Sequence, residues 1–341
     1  MILPGDWTVV RRLARKPAAT GGTFSSPYIV RDRGGHQAFL KAIDLSTPDV
    51  VQDLAGHLER TLRCFRYERD LVEKCGAAKM DRIVRVIESG EMYVEPGNAS
   101  SVVFFLVFEI ADGDVHSVLD FSRGVDVCWT MRTLHEVSIA LTQLHQRLIA
   151  HQDVKPSNVV MFGKVGSKLG DLGRASTQGV IIDHDHAQWA GDRKYSPPEL
   201  IYGFGSDDWS MRRFGCDAYM FGALAVFLLT GTCVMPEIQF RLPASLQLGS
   251  FAGAYSDLLP HLRQATNELL IEVEQQVPLE IRVGTMGMIR ALLDPDPATR
   301  GHPKQRLVKH GNQYELRRYT TELDLLRKKA DAQFMRARKS A

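Results

Sequence analysis

One short polar run near the middle of the chain constrains the fold more than any other segment. It reads His151-Gln152-Asp153-Val154-Lys155-Pro156-Ser157-Asn158, and a second carboxylate, Asp171, follows it on a glycine turn. A carboxylate, a lysine and an amide at this spacing can activate a hydroxyl and bind magnesium beside phosphate. An isolated run of this kind is equally compatible with a solvated turn, so its meaning depends on the rest of the chain.

The run resembles the catalytic loop of eukaryotic-like protein kinases, whose pattern is His-Arg-Asp-x-Lys-x-x-Asn. Asp171-Leu172-Gly173 resembles their Asp-Phe-Gly metal-binding loop. The resemblance implies that Asp153 is the catalytic base and that Lys155 neutralises charge on the transferred phosphoryl group. It also implies that Asn158 and Asp171 bind Mg²⁺ and that the nucleotide is ATP.

A lysine and a glutamate further upstream match the same family. Lys41 ends the apolar run that begins at Ala38, and it fits the lysine that holds the ATP phosphates. A helix is predicted over residues 64–75 and would supply its carboxylate partner. Glu68 aligns best and Glu73 is the alternative. Taken alone, either pair could be a surface ion pair of little energetic value.

The resemblance assigns further residues to the nucleotide. They are Gly21, Gly22, Thr23 and Phe24 of the glycine-rich loop, Phe39 above adenine, Glu109 and Ala111 of the hinge, and Asp114 and Val160 beyond it. Ser25 replaces the last glycine of the usual pattern, which reduces backbone freedom over the phosphates. Pro27 and Phe39 stand where smaller residues are usual, so we expect a narrowed adenine site. This degenerate form resembles bacterial or viral members of the superfamily.

Three features downstream of the catalytic loop indicate the class of substrate. Tyr195-Ser196-Pro197-Pro198-Glu199 resembles the Ala-Pro-Glu segment, Asp217 the aspartate of the central helix, and Arg300 the arginine that pairs with Glu199. Small-molecule kinases generally lack this set.

Gln152 replaces the arginine that commonly binds an activation-loop phosphate. We therefore expect the activation loop to be ordered without phosphorylation at Ser176, Thr177, Tyr195 or Ser196.

Strand-like runs, among them residues 83–88, precede helical patterns, and this order predicts an α+β, bilobal kinase fold. We expect a strand-rich small lobe over residues 1–108, the hinge and helical large lobe over 109–303, and a basic tail over 304–341. In the tail, Leu316, Tyr319, Leu323 and Leu326 recur at helical spacing, which predicts an amphipathic helix over residues 313–334. That helix would pack on the large lobe, or it would bind a partner or a second copy.

Composition narrows the remaining possibilities. The net charge of +2 gives no global field that would select nucleic acid or a membrane. Five scattered cysteines indicate reduced thiols in a cytoplasmic protein. The apolar stretch over residues 219–229 is too short to span a bilayer. The sequence thus predicts a Ser/Thr protein kinase acting on a protein substrate, with a pseudokinase scaffold or a small-molecule kinase as alternatives.

Overall fold

The computed structural model describes residues 1–14, 25–43, 53–95, 101–163, 165–183, 191–309 and 311–340. The chain divides into two compact units. The first comprises Met1–Asp112 with Gly170–Gly173, and the second comprises Gly113–Leu169 with Arg174–Ala341. The first is built on a β-sheet and the second is mainly helical, which confirms the predicted α+β fold class of a bilobal kinase.

An antiparallel sheet of five strands forms the first unit. The strands are β1 (Thr8–Arg12), β2 (Ser25–Arg31), β3 (Gln37–Ile43), β4 (Val86–Tyr93) and β5 (Val102–Glu109). Their spatial order is β1-β2-β3-β5-β4, so β3 lies at the centre. The helix of this unit, α1 (Leu54–Ala77), begins at an N-cap, where the Asp53 carboxylate accepts a bond from Gly56 N.

The two faces of the sheet carry different side chains because successive strand residues point in opposite directions. Ala38 and Leu40 of β3 face a closed apolar core with Trp7, Phe105 and Val107. The opposite face carries Phe39, Lys41 and Ile43, which pair in register with Phe108, Leu106 and Phe104. On this second face Phe65 of α1 packs against Phe104, with ring centroids 5.3 Å apart.

The second unit contains five short strands and nine helices among the residues described. The strands are β6 (Gly113–Asp114), β7 (Ile149–Ala150), β8 (Val159–Phe162), β9 (Gly166–Leu169) and β10 (Ser176–Thr177). The helices are α2 (Val115–Val118), α3 (Val127–His145), α4 (Pro198–Ile201), α5 (Trp209–Thr230), α6 (Val234–Arg241), α7 (Tyr255–Gln276), α8 (Leu279–Leu292), α9 (Pro303–Arg306) and α10 (Arg317–Ser340).

Helix α5 is the core of this unit. Asp208 caps its first turn, and Gly231 ends it in the left-handed conformation at φ 76°. It is the single described helix long and apolar enough to cross a bilayer, but 94% of its most apolar stretch is buried within the protein. The sequence predicted only the apolar residues 219–229. The helix begins ten residues before that stretch and includes the charged residues Arg213 and Asp217, which are also buried.

Helix α10 packs along α3 and α8. Its apolar stripe is buried, with Tyr319 at 2% exposure and Leu323 at 0%. The periodic residues of the tail therefore serve packing within the second unit. The helix begins four residues later than predicted and continues to Ser340.

Two elements of the first unit differ from the sequence prediction. Helix α1 begins at Leu54, whereas the apolar pattern indicated only residues 64–75. Strand β4 runs from Val86 to Tyr93, whereas residues 83–88 were predicted. It is an edge strand that carries Glu88 and Glu91, and such polar residues are tolerated where one side of a strand lacks a partner.

Candidate active site

In the first unit, Lys41 is held between two carboxylates. Its Nζ donates to Glu68 Oε1 at 2.7 Å and to Asp171 Oδ1 at 3.2 Å. Burial alone would lower the pKa of Lys41, but the charges of Asp171 and Glu68 raise it above its ordinary value. The lysine is therefore a fixed cation at physiological pH, which is the charge that phosphate oxygens require.

The structure distinguishes between the two candidate glutamates of α1. Glu68 is buried and touches Lys41, whereas the Glu73 carboxylate accepts a bond from Ser89 Oγ at 2.6 Å. The two residues are five positions apart, so they project from different sides of the helix. Glu68 is thus the partner of Lys41.

In the second unit, the predicted catalytic loop connects β7 to β8. Pro156–Asn158 forms one 3-10 turn, which brings the Asn158 side chain back toward Asp153. Asp153 Oδ2 accepts bonds from Lys155 Nζ at 2.8 Å and from Asn158 Nδ2 at 2.9 Å. Asn158 Nδ2 also donates to the Asp153 carbonyl at 2.8 Å. The three side chains named by the sequence motif therefore form one hydrogen-bonded cluster.

A buried aspartate of α5 anchors this loop. The carboxylate of Asp217 accepts bonds from His151 N at 2.8 Å and Gln152 N at 2.7 Å. His145 Nε2 lies 2.8 Å from the same carboxylate. Asp217 is fully buried, so the backbone just before Asp153 is fixed to the core helix.

Two residues from a later part of the chain also approach Asp153. Asp192 N donates to Asp153 Oδ1 at 3.1 Å. Gly191 precedes it at φ +67°, and a Cβ there would lie 2.6 Å from that same oxygen. Only glycine permits this approach. The sequence did not indicate that Gly191 approaches the Asp153 carboxylate.

The predicted nucleotide-binding residues fall into three groups. Phe39, Glu109 and Ala111 lie in the first unit, where Phe39 packs near Phe108 with ring centroids 6.5 Å apart and Glu109 Oε1 accepts a bond from Arg85 N. Asp114 and Val160 lie in the second unit and pair with each other in the β6–β8 ladder. Gly21, Gly22, Thr23 and Phe24 lie outside the described residues.

Each unit contains a side chain of the type that binds magnesium beside phosphate. Asp171 is 39% exposed, and its carboxylate offers a hard oxygen in the first unit. In the second unit, the Asn158 amide nitrogen is used to hold Asp153, which leaves the amide oxygen as the ligand atom. The described residues contain no cluster of three or more His, Cys, Asp or Glu side chains suited to a metal. Mg²⁺ needs few protein ligands where substrate phosphates supply the rest.

A buried ion pair closes the segment that follows. Arg300 donates from Nη1 and Nη2 to the two oxygens of Glu199, at 2.7 and 2.8 Å. Arg300 also donates to the carbonyls of Gly215, Asp294 and Pro295. The pairing that the resemblance implied between these two residues is present in the structure.

The protein kinase domain family model matches residues 21–310. The chain belongs to the protein kinase domain family. Among its relatives, CBL-interacting protein kinase 4 of Oryza sativa subsp. japonica is 26% identical over 303 residues, which cover 87% of this chain and 55% of that protein. Serine/threonine-protein kinase fused of Drosophila melanogaster is 29% identical over 226 residues, covering 63% and 26%.

Hormonally up-regulated neu tumor-associated kinase of Mus musculus is 26% identical over 212 residues, which cover 60% of this chain and 25% of that protein. The matches thus span only part of each of these relatives, from about a quarter to about half of its length. Membership of the superfamily, predicted from the loop motifs, is confirmed. Protein kinases as a family act on protein substrates, with ATP and Mg²⁺ as their general requirements.

Proposed function

We propose that this kinase domain is catalytically active and transfers the γ-phosphoryl group of ATP to a serine or threonine hydroxyl of a protein. The observation that carries the proposal is the complete set of polar groups in the two units. Lys41, with Glu68 and Asp171, supplies the phosphate-binding charge, and Asp153 has both motif partners in hydrogen-bond contact. A scaffold that acts only through partners has no need of all these contacts.

In the first unit, the proposed role of Lys41 is to hold the phosphates of ATP. Glu68 is buried and fixes the direction of the ammonium group, so the lysine is preorganised before nucleotide arrives. Asp171 places a carboxylate 3.2 Å from the same ammonium group. Magnesium bound there would neutralise phosphate charge.

In the second unit, the proposed role of Asp153 is to accept the proton of the incoming hydroxyl as the oxygen attacks phosphorus. Lys155 and Asn158 both donate to Oδ2, so the carboxylate is held in one orientation. The ammonium group of Lys155 would stabilise the negative charge of the moving phosphoryl group. Lysine at this position and the Ser/Thr kinases among the relatives support serine or threonine as the acceptor.

The direct test is transfer from γ-labelled ATP with magnesium, read by radiolabel and by intact mass, on the protein itself and on a generic protein substrate. Asp153→Asn and Asp171→Ala should each lower transfer by about 10²-fold or more while the fold is retained. Asp207→Asn, which changes an exposed carboxylate, is the matched control and should transfer at the normal rate. Normal transfer by both active-site variants would refute the assignment.

Calorimetry, read together with the transfer assay, separates the proposal from the scaffold alternative. The wild-type protein should bind ATP with magnesium, and Lys41→Met should weaken that binding. A protein that binds no nucleotide, or one that binds ATP but transfers no phosphoryl group, would be a pseudokinase scaffold. Transfer to a small metabolite but to no protein would instead indicate a small-molecule kinase.

A further inference from the structure

Gln152 stands where the family has arginine, and its side chain is completely buried. The backbone there adopts the left-handed conformation, with φ 60°. Its amide nitrogen donates to Ser176 Oγ at 2.5 Å and to the Arg174 carbonyl at 3.0 Å. Its amide oxygen accepts from Arg213 Nη1 at 2.5 Å. A guanidinium group can only donate, so the orientation of the amide is fixed.

Helix α5 holds Gln152 at two points. Arg213 binds the side-chain oxygen, and Asp217, one turn later on the helix, accepts the backbone N–H at 2.7 Å. Arg213 is 4% exposed, so its contact with the amide lies in the interior of the second unit. A hydrogen bond to a charged group in such surroundings is stronger than one between neutral groups.

The other end of the amide holds the segment that follows the metal-binding loop. Ser176 and Thr177 also pair with Ala150 and Ile149 in the β10–β7 ladder. Gln152 therefore adds side-chain bonds to a short two-residue ladder. Both sets of contacts connect the segment to the backbone around Asp153.

Three of the four hydroxyl residues of this region are poorly placed for control by phosphorylation. Ser176 and Ser196 are fully buried, and Tyr195 is 5% exposed. Ser196 Oγ donates to the Asp192 carbonyl at 3.0 Å. A phosphate could be added at these three positions only after the segment had opened.

We infer that Gln152 is a positioning residue that fixes the segment at Arg174–Thr177 to the catalytic loop without any phosphate, and that Arg213 excludes a cation from position 152. Arginine at 152, the usual residue of the family, would place a second cation against Arg213 in the protein interior. Like charges at hydrogen-bond distance in a buried site repel strongly. The expected effect on catalysis rests on the proposed function, whereas the fixed position of the Arg174–Thr177 segment does not.

Two variants separate positioning from simple stability. Gln152→Glu retains an acceptor for Arg213 but loses the donors to Ser176 and Arg174. Its melting temperature should stay close to that of wild type, while hydrogen exchange of peptides over residues 174–178 accelerates about tenfold. kcat on a generic substrate should fall by a similar factor with KM for ATP little changed. Gln146→Glu, at an exposed glutamine, controls for the added charge. It should change neither the exchange rate over residues 174–178 nor kcat.

The charge argument is tested by exchange of the two side chains. Gln152→Arg should lower the melting temperature and accelerate exchange over residues 174–178. The double variant Gln152→Arg with Arg213→Gln should recover both in large part, because one cation again faces one amide. Ser176→Ala, which removes a single acceptor, should give a smaller acceleration than Gln152→Glu.

Protection in Gln152→Glu equal to that of wild type would overturn the positioning role. A Gln152→Arg protein as stable as wild type, or a double variant no better than the single one, would overturn the role of Arg213. Hydrogen exchange needs no turnover, so an inactive wild-type protein would refute the proposed function and still leave these results decisive.

Discussion

Arg300 and Glu199 meet in two parallel hydrogen bonds, and the arginine side chain has no exposed surface. Arg300 also lies 5.0 Å from the centroid of the Tyr219 ring, and it binds three backbone carbonyls. The pair joins the start of α4 to the turn after α8 across 101 residues of sequence. Its removal would leave a buried charge without compensation.

We therefore expect Arg300→Met to destabilise the second unit by about 3–5 kcal/mol, the usual result of removing one partner of a buried ion pair. Denaturant unfolding measures this quantity. Arg263→Gln is the control, because Arg263 is 47% exposed and pairs with Asp296 at 2.9 Å. That exposed pair should contribute less than about 1 kcal/mol. If Arg300→Met also lowered the free energy of unfolding by less than about 1 kcal/mol, the structural role assigned to the Arg300–Glu199 pair would be contradicted.

The difference between Glu68 and Glu73 predicts different kinetic effects from the same substitution. Glu68→Gln should lower phosphoryl transfer by about 10–10²-fold, because the Lys41 ammonium group would lose the carboxylate that orients it. Glu73→Gln, on the same helix, removes only a contact with Ser89 and should leave transfer within about twofold. Equal effects of the two variants would mean that Lys41 does not depend on Glu68.

Phe39 lies on the same sheet face as Lys41 and is half-buried. Phe39→Ala should change the affinity for ATP by about two- to twelvefold in either direction, since a ring contact of about 0.5–1.5 kcal/mol is gained or lost. Calorimetry with magnesium and ATP measures the change. Tyr28→Leu, in the neighbouring strand on the opposite face, is the control and should leave affinity unaltered. Unchanged affinity in Phe39→Ala would remove this ring from the nucleotide site.

Helix α10 offers a matched pair of leucines. Leu323 is fully buried, whereas Leu325 is 56% exposed. Leu323→Ala should cost about 2–5 kcal/mol of unfolding free energy, because it opens a cavity in the core. Leu325→Ala should cost less than about 0.5 kcal/mol. A small effect at both positions would show that the helix is not integral to the second unit.

Much of the site could be predicted because its residues follow one another closely in sequence. Asp153, Lys155 and Asn158 lie within one loop, and their chemistry limits the ways in which they can meet. The link from Lys41 to Glu68 needed only the register of one strand and the face of one helix.

Contacts between distant segments could not be predicted in the same way. The sequence showed that Gln152 replaces an arginine, but Arg213 lies 61 residues away and resembles a surface residue on an apolar helix. The approach of Gly191 to Asp153 depends on a left-handed backbone that no side-chain pattern records. The bounds of β4 and α1 were missed because an edge strand and the exposed start of a helix carry polar residues.

The packing of α10 also has a practical consequence for anyone who trims this chain. The family match ends at residue 310, while α10, which packs along α3, begins at Arg317. A fragment cut at the limit of homology would leave the apolar surface under Tyr319 and Leu323 open to water, and such a surface promotes aggregation. The folded domain therefore ends later in the chain than the region of sequence similarity does. A fragment made for expression should include α10.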